Sequence, residues 1–435
     1  MFLWHVKVGS LPQRLRRAIQ LSMGNRPLRF CMITTFYPPY NFGGDGIFVH
    51  RLSNELARRG HLVEVIHCID AYRVGARREP AKPYEDHPNV TVHGLKSRFG
   101  FLSPLATQQT GFPFFKSARI SQILERGFDV IHYHNISLIG PKILEYGHGI
   151  KLYTMHEYWL VCPTHVLFRF NRAACIRPYC LLCSLTYKRP PQWWRYVGLL
   201  EGAVKHVDMF IAPSRFTKEK HRQMGLNGPI VHLPPFVPSE EAASPPSEQP
   251  VGEAPREPYF LFVGRLEKLK GLQTLIPIFR RYHKAHLLIA GTGNYEAQLR
   301  QLAEGSPNVR FLGYVSSRRL QALYRDAVAV IVPSLCFEVF AQVIIEAFMQ
   351  QTPAVVRNLG GMPEIIAESG GGLTYDREEE LVAAMDQLLE DPSCRRRLGL
   401  RGYEAYQKKW TADAHLERYF GLIREIAATK DRSLG

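Results

Sequence analysis

The chain has no Asp-x-Asp anywhere in its 435 residues, so it lacks the usual carboxylate motif that clamps a divalent metal onto a diphosphate. It has no apolar run approaching the roughly 18 residues of a membrane-spanning helix, which excludes an integral helical membrane protein. Met1-Phe-Leu-Trp4 is too short and too soon interrupted for an export signal. A reducing compartment is therefore expected, and disulfides among the eight cysteines are disfavoured. Acidic residues are in deficit, 39 against 55 lysines and arginines. The resulting net charge of +16 and pI near 9.5 imply attraction to anionic surfaces, whether phospholipid or nucleic acid.

What is present is an alternation of strands and helices that runs twice. Arg29-Phe-Cys-Met-Ile-Thr-Thr35 reads as a first strand, followed by Gly43-Gly44 in a loop and a helix over about 47–59 with Phe48, Leu52 and Leu56 on one face. Further strands are read at 62–68, 129–134, 151–156 and 209–214. The alternation restarts at Tyr259, so two parallel, doubly wound domains are expected, and the length suits two cores. The expected division is a basic tail over 1–27, a first domain over 28–236 with a cysteine-rich insertion at about 160–195, a Pro/Ser/Glu-rich linker over 237–258, a second domain over 259–408, and a last amphipathic helix over 409–435. Leu11, Leu15 and Ile19 beside Arg14, Arg16 and Arg17 fit either a short interfacial helix or a disordered terminus.

The most informative stretch is Pro333-Ser-Leu-Cys-Phe-Glu338-Val-Phe-Ala-Gln-Val-Ile-Ile-Glu346-Ala-Phe348. It follows an apolar strand and leads into a helix. Glu338 then lies on a loop at the carboxyl edge of a sheet, with a helix N-terminus between it and Glu346. Free N–H groups and the helix dipole suit phosphate there, and carboxylates accept hydrogen bonds from sugar hydroxyls. Two glutamates at this spacing occur by chance in many helical proteins, and most such pairs are solvated surface charges. Upstream, Tyr259-Phe-Leu-Phe-Val-Gly264-Arg265-Leu-Glu-Lys268-Leu-Lys270-Gly271 runs a buried-type strand into a glycine-bracketed basic turn, and Leu287-Leu-Ile-Ala-Gly291 feeds a second glycine turn.

Gly264-Arg265-Leu266, Lys270-Gly271, Glu338-x7-Glu346 and Gly360-Gly361-Met-Pro-Glu364 together resemble glycosyltransferase family 4, the retaining GT-B enzymes, over residues 28–406. The resemblance implies a GT-B fold of two Rossmann-like domains facing a central cleft. It implies retaining, metal-independent transfer of a sugar from a UDP-, GDP- or ADP-linked donor to a saccharide or lipid-linked acceptor in cell-surface polysaccharide or glycolipid synthesis. Carried over, Glu338 touches donor-sugar hydroxyls, Glu346 binds the ribose, and Arg265 and Lys270 hold the diphosphate. Gly44 and Gly291 join the donor site, and Gly43, His134 and Asn135 the acceptor side of the cleft. His156, in Tyr153-Thr-Met-His156-Glu157, matches a histidine that contacts the donor sugar. The glutamates then act as binding groups and no nucleophile is assigned. The departing phosphate oxygen helps take the acceptor proton. One departure stands out: the family usually has Gly-Phe-Gly after the first glutamate, where this chain has Val339-Phe340-Ala341.

His156, His134 and Asn135 each also admit a purely structural reading. Cys162, Cys175, Cys180 and Cys183 could bind one structural zinc or remain free thiols; no cofactor is required for catalysis. Acceptor loops are expected at 38–46 and 98–115, where Tyr37, Tyr40, Phe42, Phe99 and Phe101 suit sugar stacking, lipid contact or plain packing. The expected location is cytoplasmic, peripheral at an anionic membrane face. A GT-B nucleotide-sugar epimerase is the alternative reading. A basic, cysteine-rich nucleic-acid-binding protein is a weaker one, since it leaves the two glutamates unexplained.

Overall fold

The computed structural model describes residues 26–76, 79–80, 84–238 and 257–433. The basic segment at 1–23 and most of the expected linker lie outside them. The strands of the two sheets are rich in Val, Ile, Leu and Phe over three to seven residues, the composition of strands buried on both faces. They assemble into two parallel sheets. The first has seven strands in the order β3-β2-β1-β4-β5-β8-β9. They are β1 (Arg29–Ile33), β2 (Leu62–Cys68), β3 (Val90–Leu95), β4 (Val130–Tyr133), β5 (Ile150–Thr154), β8 (Met209–Ala212) and β9 (Ile230–His232). Between β5 and β8 a small antiparallel ribbon, β6 (Phe168–Arg169) with β7 (Ala173–Ala174), carries the cysteine-rich segment. The second sheet has six strands, β12-β11-β10-β13-β14-β15. These are β10 (Tyr259–Val263), β11 (His286–Ala290), β12 (Val309–Gly313), β13 (Ala329–Val332), β14 (Ala354–Arg357) and β15 (Gly372–Tyr375).

Each sheet reverses its strand order once, between β1 and β4 in the first and between β10 and β13 in the second. At such a switch point the loops leaving neighbouring strands splay apart and open a crevice at their carboxyl ends. The loops at these two points carry Pro38–Gly43, His134–Ser137, Gly264–Lys270 and Pro333–Ala341. Topology alone therefore gathers most of the residues singled out above.

Helices cover both faces of both sheets, giving two core layers per domain. The final helix, Ala412–Ser433, inserts Leu416, Tyr419 and Ile423 beside Phe30, Met32 and Leu52 of the first domain. Burial of each such side chain contributes about 1.5–3 kcal/mol. Trp410 carbonyl accepts from Val237 N–H at 3.0 Å, so the chain crosses between domains twice at one place. The helix expected from residue 47 begins earlier and spans Gly44–Arg58, its acidic Asp45 favourably placed in the first turn. Strands β4 and β5 end at Tyr133 and Thr154, so His134 and His156 stand just past strand ends.

Candidate active site

The basic turn after β10 folds as it does because two glycines are obligatory. Gly271 has φ +81°, and a Cβ there would stand 2.0 Å from Pro333 carbonyl oxygen. Gly291 has φ +137°, and its Cβ would stand 1.9 Å from Gly264 carbonyl oxygen. These approaches draw the loops after β10, β11 and β13 together. Lys270 Nζ then lies 2.7 Å from Glu338 Oε1, and Ser334 Oγ donates to the same oxygen at 2.6 Å. Burial pushes the Glu338 carboxyl up, but the Lys270 charge and these hydrogen bonds outweigh it and hold the group below the ordinary carboxylate range. Burial likewise opposes the Lys270 ammonium, and Glu338 more than restores it. Arg265 is half exposed, its guanidinium 2.7 Å from Glu267 Oε1.

The next helix, Gln342–Met349, starts at Ala341 with no side-chain cap, and its first residues Gln342 and Val343 border the cleft together with Ala341. Glu346 sits one turn in. Tyr324 Oη donates to its Oε2 at 2.9 Å, and Arg51 of the first domain reaches its Oε1 at 3.5 Å. Glu338 and Glu346 thus flank a helix N-terminus, each already holding a donor.

The opposite wall comes from the first domain. Gly43 and Gly44 open the Gly44–Arg58 helix, and Gly44 faces Gln342 across the cleft. His156 borders the same cleft, with Nε2 3.0 Å from Nδ1 of the buried His134. Burial lowers the His156 pKa to about 4, against a smaller opposing effect of Asp45, so the ring is neutral at physiological pH. His134 is lowered as well, by burial first and then by its histidine neighbours, and its Nε2 has no partner among the described residues. Asn135 does not border the cleft. Its Nδ2 donates to Asp45 Oδ2 at 3.0 Å and its Oδ1 accepts from Ser137, which shapes the loop. The cleft encloses about 960 Å³ and is bordered by Gly43, Gly44, His156, Arg265, Lys270, Gly291, Glu338 and Glu346 together. It suits an elongated ligand with anionic and hydroxyl groups.

The two sides are tied by more than the cleft. Glu364 accepts from the backbone N–H groups of Arg215 (2.8 Å) and Phe216, capping the Arg215–Gln223 helix of the other domain. Among the aromatics of the expected acceptor loops, Tyr37 is fully buried and donates to Asp86 at 2.6 Å. Tyr40 and Phe42 pack on Tyr72, while Phe99 and Phe101 remain exposed.

Cys162, Cys175, Cys180 and Cys183 border one small cavity. Cys162 Sγ pairs with Thr164 Oγ1 at 3.2 Å, Cys175 faces Arg177 carbonyl at 3.6 Å, and Cys183 accepts from Phe170 N–H at 3.4 Å. Burial and then the neighbouring thiols push Cys175 and Cys180 up, which favours the protonated form. Among the described residues no group of three or more His, Cys, Asp or Glu side chains is disposed to hold a metal ion, and the choice between one structural zinc and free thiols stays as the spacing left it.

Sequence reasoning missed Ser334, Tyr324, Arg51 and Asp45, which complete these contacts. Only Ser334 lies close enough in sequence to Glu338 for a local pattern to have suggested it.

Two family models match the chain: Glycosyltransferase Family 4 over residues 42–241 and Glycosyl transferases group 1 over residues 245–405. The D-inositol 3-phosphate glycosyltransferase of Pseudarthrobacter chlorophenolicus is 27% identical over 410 residues, covering 88% of this chain and 91% of its own. Among solved structures, sucrose-phosphate synthase from Thermosynechococcus elongatus superposes with a TM-score of 0.71 at 20% identity, over 92% of this chain and 100% of that one. Anabaena Alr3699/HepE in complex with UDP and glucose does so with a TM-score of 0.63 at 16% identity, over 93% and 100%. Both structural likenesses speak for the two-domain GT-B fold.

Proposed function

The chain belongs to glycosyltransferase family 4, and from that premise we propose that it moves a sugar from a nucleotide-sugar donor to a saccharide or lipid-linked saccharide, with retention of anomeric configuration and without a catalytic metal. The observation that carries this reading is the Lys270–Glu338 pair beside the uncapped N-terminus of Gln342–Met349, with Glu346 one turn in. A ribose hydroxyl pair fits Glu346, held by Tyr324, and sugar hydroxyls fit Glu338. The diphosphate lies between them against Lys270, Arg265 and the helix amides, which stabilise charge on the departing nucleoside diphosphate. These fixed cations do the work for which a divalent ion is otherwise used. The neighbour bound to UDP and glucose supports such a donor.

In this reading the C1–phosphate bond breaks and the acceptor oxygen joins C1 on the same face, its proton passing to the leaving phosphate oxygen. His156, neutral in its buried setting, exchanges hydrogen bonds with the donor sugar and carries no charge to the centre. Slow hydrolysis of an α-linked donor followed by ¹H NMR tests the stereochemistry without knowing the acceptor. Retention releases the α-anomer first, and initial release of β-sugar would contradict it.

A membrane-facing acceptor fits the outer surface of the first domain. No helix among the described residues is long and apolar enough to cross a membrane. Phe101, Phe114, Trp193 and Tyr196 are each more than half exposed, and Arg98 lies over the Phe99 ring at 4.9 Å. Aromatic and basic groups side by side suit an anionic lipid surface. Sedimentation with anionic vesicles, and its loss in Phe101→Ser/Trp193→Ser, is expected; equal binding to zwitterionic vesicles would count against it.

A further inference from the structure

One apolar contact across the cleft has no part in the chemistry described so far. Val339 directly follows Glu338, yet its side chain is buried in a cluster whose other buried members come from the first domain. It packs with Tyr158, Cys162 and Leu167, all from the first domain and all nearly fully buried. Its carbonyl accepts from Thr217 Oγ1 of the same domain at 3.3 Å. On the other side the Glu338 carbonyl accepts from Gly361 N–H at 2.8 Å. The loop bearing Glu338 is therefore held jointly by both domains.

The segment opposite Val339 is strained. His165, Leu167, Phe170 and Asn171 all have positive φ, at +76°, +46°, +53° and +55°, with no glycine among them. Leucine disfavours that conformation, and such strain persists only where surrounding contacts fix it. Here the turn presents Leu167 to the donor loop, while His165 and Val166 border the cleft itself.

We propose that Val339 is a positioning residue, the apolar plug through which the cysteine-rich segment holds Glu338 in place when the domains approach. The proposal rests on the donor-site reading above for its effect on ligand, though not for the contact. Closure and donor-loop order are then one event: parting the domains exposes Val339 and frees Glu338 from its second anchor.

The test uses the full chain with Val339→Ala, Leu167→Ala, the double variant, and Val339→Ile as the conservative control. Hydrogen–deuterium exchange of residues 158–168 is read first, without nucleotide. Val339→Ala is expected to raise exchange there, in the other domain, while Val339→Ile does not. UDP, GDP and ADP are then titrated by thermal shift. Each alanine variant is expected to raise the half-maximal concentration of the stabilising diphosphate by about 3- to 10-fold, roughly the partition of one lost apolar side chain. The double variant should lose no more than the larger single effect, because both remove one contact. Unchanged exchange at 158–168 in Val339→Ala, or additive losses in the double variant, would overturn the proposal. If no diphosphate stabilises the wild type, the donor-site reading fails, and the exchange result alone decides the plug.

Discussion

Replacing Lys270 with methionine removes the only cation within hydrogen-bond reach of Glu338 among the described residues while keeping most of the apolar stem. The pair is largely buried, with 23% of the lysine side chain and 13% of the glutamate side chain exposed. Breaking a fully buried pair costs about 3–5 kcal/mol. The partial exposure here reduces that to about 2–3 kcal/mol, a fall of roughly 5–10 °C in the melting temperature of the second domain. The sign with pH is specific. Glu338 is depressed in the folded protein, so its contribution is full above the ordinary glutamate pKa of about 4.3 and is lost as pH falls through its lower folded value. Lys270 is raised, so its contribution is full below about 10.4 and is lost as pH rises through its higher folded value. In Lys270→Met, burial acts on Glu338 with much less opposition and the carboxyl rises instead. The variant is therefore penalised most near neutrality and relieved as the group takes a proton. Scanning calorimetry between pH 4.5 and 7.5 should show the gap to wild type narrowing toward acid. A gap that is constant with pH, or below about 1 kcal/mol at neutral pH, would refute the coupling.

Gly271→Ala should destabilise by more than about 3 kcal/mol, since it combines positive φ with a collision against Pro333 carbonyl; denaturant unfolding measures this. Tyr324→Phe leaves Glu346 without its hydroxyl donor and is expected to weaken nucleotide binding by about 3- to 10-fold in calorimetric titration, with the fold intact. For His156, burial keeps the ring neutral down to about pH 4, so its share of folding stability is present above the free-histidine value and declines as pH falls below it. The activity profile should accordingly show no histidine limb near pH 6.5, and such a limb assigned to His156 by mutation would contradict the burial argument. His134→Phe removes the ring nitrogen that meets His156 and is expected to lower kcat with little change in donor KM.

The fold was legible because its signal is local. Runs such as Tyr259–Val263 and Ala329–Val332 announce buried parallel strands, and switch-point geometry then places the loops that follow them. Glu338, Glu346 and Lys270 were readable for the same reason, each lying within a few residues of a strand end or helix start. Their partners were not. Arg51 reaches Glu346 from the other domain, and Tyr324 lies in the helix before β13, so no spacing rule joins them. Asn135 read as a cleft residue but is consumed by Asp45 and Ser137. The cysteines show the limit most clearly. Their spacing left one structural zinc and free thiols both open, and the turn at 165–171 that lies among them adopts positive φ at residues that carry no glycine signal. Val339, which breaks the expected glycine pattern, made sense only once the opposite domain was in view.

A thermal-shift panel of UDP-, GDP- and ADP-sugars, run in EDTA on wild type and Glu346→Ala, decides whether this cleft is a metal-free donor site. Stabilisation of the wild type by one nucleotide class, undiminished by the chelator and lost in the variant, is the expected result. No shift with any nucleotide sugar, a shift that needs a divalent ion, or one that survives Glu346→Ala would contradict it.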